Sequence, residues 1–191
     1  MSRARPRPRI LGLDPGFASF GWAVIEIGRR CELDVPVALG VIETEKSAKG
    51  AGARVVDDHV RRMRTISQVL AYVQRMHGPF VVAAAESFSP PRSSSVAAKV
   101  AFAWGVLVQH LDVAGTPLLQ VSPQEVKLAI TGERSASKRV VIDGVLARYG
   151  APASRLLEAL RPRDLHEHAA DAMAVTIACA GAELVQLARQ M

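Results

Sequence analysis

Three carboxylates stand where an apolar core has no use for them. Asp14 closes the apolar run at residues 10–13 and is followed by Pro15-Gly16. Glu86 closes a second run at residues 80–85, and Asp171 lies inside residues 169–182, which are otherwise almost uniformly small and apolar. Burying an ionised carboxylate is costly unless a positive group meets it. A helix cap or a structural ion pair would account for any one of them. Three together, two at strand ends and one on the apolar face of a helix, point to another account. Hard divalent cations such as Mg²⁺ select oxygen ligands, and a carboxylate cluster at strand ends offers them. Two such ions a few ångströms apart activate a water and stabilise both oxygens of an in-line phosphoryl displacement.

The hydrophobic pattern says how the chain brings these acids together. Residues 10–14 read as a short buried strand stopped by the Pro-Gly turn. Residues 20–27 and 35–44, rich in Val and Ile and separated by short polar stretches, read as two further strands of an antiparallel meander. From Val55 the period changes. Val56, Val60, Met63, Ile66, Leu70 and Val73 recur at helical spacing, with Arg61, Arg62 and Arg64 placed mostly off that face. The run ending on Glu86 has the continuous apolar character of a central strand covered on both sides. A loop over residues 87–95 leads to a mostly apolar helix reaching about Ala114, then a short strand at residues 117–121. Ser122-Pro123-Gln124-Glu125 has capping-box spacing with Pro at the first helical position, so a helix starts there. Another follows Ser137 and is expected to end near Gly150. The last is expected to begin near Asp164 and run almost to the C-terminus. These elements describe an α/β domain, a mixed sheet flanked by helices on both faces, filling residues 10–191 after a disordered basic tail at residues 1–9.

On the final helix Asp164, His168 and Asp171 fall at i, i+4 and i+7 and share one face. Asp164 with Glu167 reads as an N-cap pair. His168, three residues before Asp171, is within reach of the same ion, whereas His166 and Glu167 read as solvent-facing.

The 24 Lys and Arg against 18 Asp and Glu give a formal net charge of +6. Such a bias serves solubility, or a polyanionic partner whose counterions the cations release. The two cysteines, Cys31 and Cys179, form neither a disulfide framework nor a zinc pattern, so a reducing cytoplasm is expected. No signal-peptide core is present, and no uninterrupted apolar stretch approaches the ~20 residues of a bilayer span, so no membrane partner is expected.

Four blocks carry a resemblance to a known family. Ile10-Leu-Gly-Leu-Asp-Pro-Gly16 followed by Gly21-Trp-Ala-Val-Ile25 resembles the opening of the RuvC family of Holliday junction resolvases. Ala84-Ala-Glu86 is similar to its second acidic strand end. Gln120-Val-Ser-Pro-Gln-Glu-Val-Lys127, with Gly132 to Lys138 beyond it, resembles its P-x-x-V-K stretch and following loop. His168-Ala-Ala-Asp-Ala-Met-Ala-Val175 resembles its D-A-A-D-A-L-A-V helix. The four occur in order and at compatible spacing from Ile10 to about Ala180.

The resemblance implies an RNase H-like fold with a mixed five-stranded sheet whose first three strands are antiparallel. It implies a homodimer acting on branched DNA, the four-way junction above all. It also implies two-metal hydrolysis with Mg²⁺ or Mn²⁺, leaving 5′-phosphate and 3′-hydroxyl ends. Asp14, Glu86, His168 and Asp171 would then form the metal site. Lys127, as a catalytic residue, and Lys138 would contact phosphate or stabilise the transition state, unless they are merely part of a solvated helix face. Arg92, Arg134 and Arg139 would add phosphate contacts, with the basic tail. A branch-migration helicase is a possible further partner.

Two departures matter. His168 stands where the family more often has Asp, which lowers the negative charge and suits a borderline metal such as Mn²⁺; it is also placed to act as a base. The family's base-stacking aromatic, three residues after the strand-end Glu, is here Ser89. Phe88, one residue earlier, is either the replacement wedge or core. Strict four-way specificity and a broader branched-DNA specificity therefore both stay open.

Other classes compete. A sugar-kinase or actin-like ATPase shares such an opening but needs two halves and a second phosphate loop, for which 191 residues leave no room. A ribonuclease of the same fold shares the metal chemistry, although the block from Ser122 to Lys138 favours DNA junctions. A module that binds branched DNA without cutting it would not need the intact acidic set.

Overall fold

The structure, a computed structural model, describes residues 7–29, 32–46, 54–89 and 92–190. Residues 1–6 of the basic tail, Cys31 and Pro90-Pro91 lie outside the described residues. Strands β1 (Arg9–Asp14), β2 (Ser19–Glu26), β3 (Val35–Glu43), β4 (Val82–Glu86) and β5 (Leu118–Val121) form one sheet in the order β3-β2-β1-β4-β5. The first three pair antiparallel, whereas β1–β4 and β4–β5 are parallel. The helices are α1 (Val55–His77), α2 (Ser94–Ala114), α3 (Pro123–Thr131), α4 (Lys138–Ala159), α5 (His166–Ala178) and α6 (Glu183–Gln190).

Alternation along the central strands sorts the core into two layers. Leu11, Leu13, Phe20, Val24, Ala83 and Ala85 pack with Ile66, Leu70 and Val73 of α1 and with Ala103, Leu107 and Leu111 of α2. Ile10, Ala23, Ile25, Val82 and Ala84 face the opposite way, onto Val126, Val141, Val145 and the small residues of α5. Helices cover both faces, which is why β1 and β4 are apolar without interruption until their terminal acids.

Helix α5 lies unusually close to β1 and β2. A Cβ on Gly12 would sit 1.9 Å from the Ala172 carbonyl oxygen, and one on Gly21 would sit 2.1 Å from that of His168. Helix backbone rests directly on strand backbone at both points. Ala169, Ala172, Met173 and Ala174 are accordingly buried to within a per cent or so.

Several elements depart from expectation. Arg9, assigned to the tail, is the first residue of β1; its guanidinium bonds Glu26, its register partner on β2, at 2.7 and 3.1 Å. Arg7 pairs with Glu32 at 3.0 Å, so the segment leading into the sheet is tied down by acids on β2 and the turn after it. The helix after Ser137 does break at Gly150, whose φ of 61° is left-handed, but it restarts at once and continues to Ala159. Pro152 fits that restart because a first helical turn needs no amide hydrogen. The final helix is not continuous either: a 3₁₀ turn at Cys179–Gly181 precedes α6, and the two segments bend by 81°. Asp164 is no N-cap, since α5 starts at His166 behind a 3₁₀ turn at Arg163–Leu165. Arg62, placed off the apolar face of α1, is buried, because its guanidinium finds partners inside. The capping box at Ser122 and Glu125 forms as expected, with bonds of 3.2 and 2.6 Å.

The seat under α5 yields a direct test. Gly12→Ala forces a methyl into the Ala172 carbonyl, where backbone cannot yield cheaply. The expected loss of stability is about 3 kcal/mol by urea denaturation, with an unchanged m-value.

Candidate active site

In the parallel pair β1–β4, Leu13 is opposite Ala85, so Asp14 and Glu86 end neighbouring strands side by side. Alternation turns both towards α5, the same way as Ile10 and Ala84. Helix α5, seated on Gly12 and Gly21, carries His168 and Asp171 on one face over those ends. The sheet edge and the helix thus converge on one spot from two directions.

Within it each acid is treated differently. Nδ1 of His168 donates to Oδ2 of Asp14 at 2.8 Å. Nζ of Lys138, the first residue of α4, lies 3.1 Å from Oδ2 of Asp171 and also bonds Glu167. Burial, then the nearby charges of Asp171 and Asp14, push the Glu86 carboxyl above its ordinary value, against the pull of Lys138 and Lys127. Burial and the Asp14 charge push Asp171 up likewise, while Lys138 opposes them. The hydrogen bond to Asp14 raises His168 in spite of burial. Burial works against the Lys138 charge, but Glu167 and Asp171 together hold its ammonium above the usual range.

These shifts describe a concentration of negative charge with cationic side chains drawn into it. Among the described residues no three His, Cys, Asp or Glu side chains form a ready ligand cage, because Asp14 and Asp171 rest on His168 and Lys138 instead. The donor chemistry nonetheless suits a hard divalent cation: three carboxylates that repel one another, plus one imidazole, on a partly open surface.

Lys127 projects from α3 and is near enough to act on Glu86 electrostatically. Lys138 is half exposed on the first turn of α4 and still reaches Asp171. Arg134 and Arg139 are exposed around the α3–α4 loop, and Ser89 and Arg92 are exposed between β4 and α2. Phe88 is no core residue: it is 40% exposed and meets Trp104 of α2 edge-on, with ring centroids 6.1 Å apart. Glu167 faces solvent as expected and also pairs with Lys138, whereas His166 is half-buried, its Nε2 3.0 Å from the Leu160 carbonyl oxygen. Neither partnership leaves a local trace, since Lys138 and Glu167 belong to different helices.

Neutralising Glu86, whose acid form the site favours, relieves this repulsion. Glu86→Gln is expected to raise the Tm of the metal-free protein by a few degrees in a thermal scan with chelator present, and to reduce the added stabilisation that a divalent cation gives the wild type.

Comparison with known proteins agrees with this geometry. Residues 10–179 match the family model described as crossover junction endodeoxyribonuclease RuvC. The RuvC of Synechococcus sp. (strain RCC307) is 37% identical over 169 residues, covering 87% of this chain and 94% of that protein. The RuvC of Sorangium cellulosum (strain So ce56) is 34% identical over 185 residues, covering 95% and 96%. Among solved structures, Thermus thermophilus RuvC in complex with Holliday junction substrate superposes with a TM-score of 0.70 at 26% identity, covering 91% of this chain and 93% of that one. The yeast mitochondrial Holliday junction resolvase Ydc2 shares the fold, with a TM-score of 0.60 at 17% identity. A family match over nearly the whole sheet-and-helix body, in a chain whose acids meet at the strand ends, means that this protein belongs to the RuvC family of crossover junction endodeoxyribonucleases.

Proposed function

We propose that this chain resolves four-way DNA junctions by divalent-metal-dependent phosphodiester hydrolysis, with Asp14, Glu86, His168 and Asp171 as the reacting centre. The observation that carries the reading is the convergence of three carboxylates and one imidazole beneath α5, in a member of this family. RuvC-family nucleases depend on divalent metal, which when bound activates water and neutralises charge at the scissile phosphate. Asp14, Glu86 and Asp171 supply oxygen donors for it. His168, with Nδ1 engaged by Asp14, would offer its other ring nitrogen, Nε2, in the neutral form, and such a donor would suit Mn²⁺ beside Mg²⁺. Lys138, half exposed at the rim, brings its ammonium to a phosphate oxygen, with Lys127 behind it. Water adds to phosphorus, the bond to O3′ breaks, and the products carry 5′-phosphate and 3′-hydroxyl ends.

The T. thermophilus relative was solved with a Holliday junction, and the same substrate class suits the exposed cations here. Arg92 and Arg134, on the loops after β4 and α3, and Arg139, in the first turn of α4, supply phosphate contacts. Phe88, braced by Trp104, offers an aromatic face to an unstacked base.

Paired incision of opposing strands needs two sites related by a two-fold axis. Helix α2 supplies the surface for a second copy. It is long and apolar enough to cross a membrane by length and composition, and little of it is buried. Its stripe of Ala103, Leu107 and Leu111 is packed on the sheet, so it is no span. Away from that stripe Val108 and Val113 are exposed, and Val113 lines a groove of about 450 Å³ against α1. A helix so apolar and so little buried is suited to a dimer contact.

The reading is tested with four-way, forked and linear duplexes and an RNA–DNA hybrid, each in Mg²⁺ and in Mn²⁺. Preferential paired incision of the four-way junction is expected, with affinity falling steeply as salt rises. Efficient cutting of the hybrid without branch preference would make the chain a ribonuclease, and tight binding with no cutting in either metal would make it a binding module. Separately, Val108→Asp is expected to shift the protein from dimer to monomer in analytical ultracentrifugation; a variant that still dimerises at wild-type concentrations would exclude this face.

A further inference from the structure

Arg62 is only 3% exposed, on a helix whose Arg61 and Arg64 both reach solvent. Its donors are directed at one place. Nε donates to Oγ1 of Thr44 at 2.9 Å, and Nη2 donates to the Phe17 carbonyl at 3.2 Å. The guanidinium carbon stands 4.2 Å from the centroid of the Phe17 ring. The Thr44 hydroxyl donates to the same Phe17 carbonyl, and the Thr44 amide donates to that of Ala18 at 2.8 Å. Asp58, one turn back on α1, lies 4.0 Å from Nη1. Phe17 is also boxed edge-on by His59 and tilted against Phe102, with ring centroids 5.7 and 5.9 Å away.

Phe17 belongs to the turn that leaves Asp14. That turn is tight: the Gly16 amide donates back to the Asp14 carbonyl at 2.9 Å, and a Cβ on Gly16 would meet the Ser19 carbonyl oxygen at 2.1 Å. A buried cation is commonly no better for stability than an apolar side chain of similar volume, and a Met could pack against Phe17 as well. What a Met could not do is hold the backbone carbonyl and the hydroxyl of Thr44 at fixed positions.

We infer that Arg62 is a positioning residue for Asp14, clamping the turn at residues 14–18 from the α1 face of the sheet while His168 holds the carboxylate from the α5 face. The inference rests on the reading of Asp14 as part of the reacting centre. Misplacing a reacting group by about 1 Å costs on the order of 100-fold in rate, so such a clamp acts on turnover more than on binding.

The test uses the full-length chain and a four-way junction. For Arg62→Met, single-turnover cleavage at saturating DNA is expected to fall about 30-fold or more, and the Mn²⁺ concentration for half-maximal cutting to rise about five-fold, while junction affinity without divalent metal stays within about two-fold. Amide exchange at Gly16 is expected to accelerate in the same variant. Thr44→Val, which removes one strut, is expected to lose about three- to ten-fold in rate, and Arg62→Lys to recover only part of the Arg62→Met loss. Val73→Ala, buried on the same helix but away from the turn, is the control. It is expected to lower Tm with little change in cleavage well below that temperature or in Gly16 exchange. Arg62→Met cutting at the wild-type rate, or losing no more than Val73→Ala at equal loss of Tm, would overturn the inference. Asp14→Asn, run alongside, separates the two readings: normal cutting by Asp14→Asn overturns the site itself, and an inert Asp14→Asn beside a fully active Arg62→Met overturns the clamp alone. Should Arg62→Met fail to fold, Arg62→Lys and Thr44→Val decide the matter by the same measurements.

Discussion

The contact of α5 with the backbone of β1 and β2 is the constraint on which the rest of the site depends. Two strand positions without a side chain, Gly12 and Gly21, let helix carbonyls come down onto the sheet. Without that descent, His168 and Asp171 would stand a layer higher, and the acids at the ends of β1 and β4 would face a different neighbour. The alanines of α5 serve the same end. They add little apolar area individually, but a bulkier helix could not lie so low.

Bringing acids together in this way has an electrostatic cost, visible in the upward shifts of Glu86 and Asp171. Lys138 and His168 lower it by standing among the carboxylates as internal counter-charges. The same repulsion that makes the site unfavourable by itself makes it receptive to positive charge. The histidine has a double character here. Its ring brings a nitrogen in among the carboxylates, and its Nδ1 engages Asp14 at 2.8 Å.

Much of this was legible in the sequence because it follows from short periods. The continuous apolar runs of β1 and β4 announced central strands, their terminal Asp14 and Glu86 announced a site, and Ser122-Pro123 with Glu125 announced α3 through local capping chemistry. The break at Gly150 was legible from the glycine itself, but the restart beyond it to Ala159 and the bend at Cys179–Gly181 were not, because helical spacing continues on either side. Least legible were pairings set only by tertiary structure. Nothing near Arg62 reveals that Thr44 and Phe17 await it, since an arginine among arginines reads as a solvated face. The bond between Lys138 and Glu167 escapes for the same reason.

Tyr149 of α4 places its hydroxyl 2.6 Å from that of Thr176 on α5, and a Cβ on Gly12 would meet the Thr176 methyl at 2.6 Å. One glycine on β1 therefore sets the level of α5 directly and the register of α4 at second hand. Asp171 comes from the first of these helices and Lys138 from the second, so an acid and its counter-charge share a common origin in the sheet. A side chain at that one strand position would therefore displace the acid and its counter-charge together rather than part them.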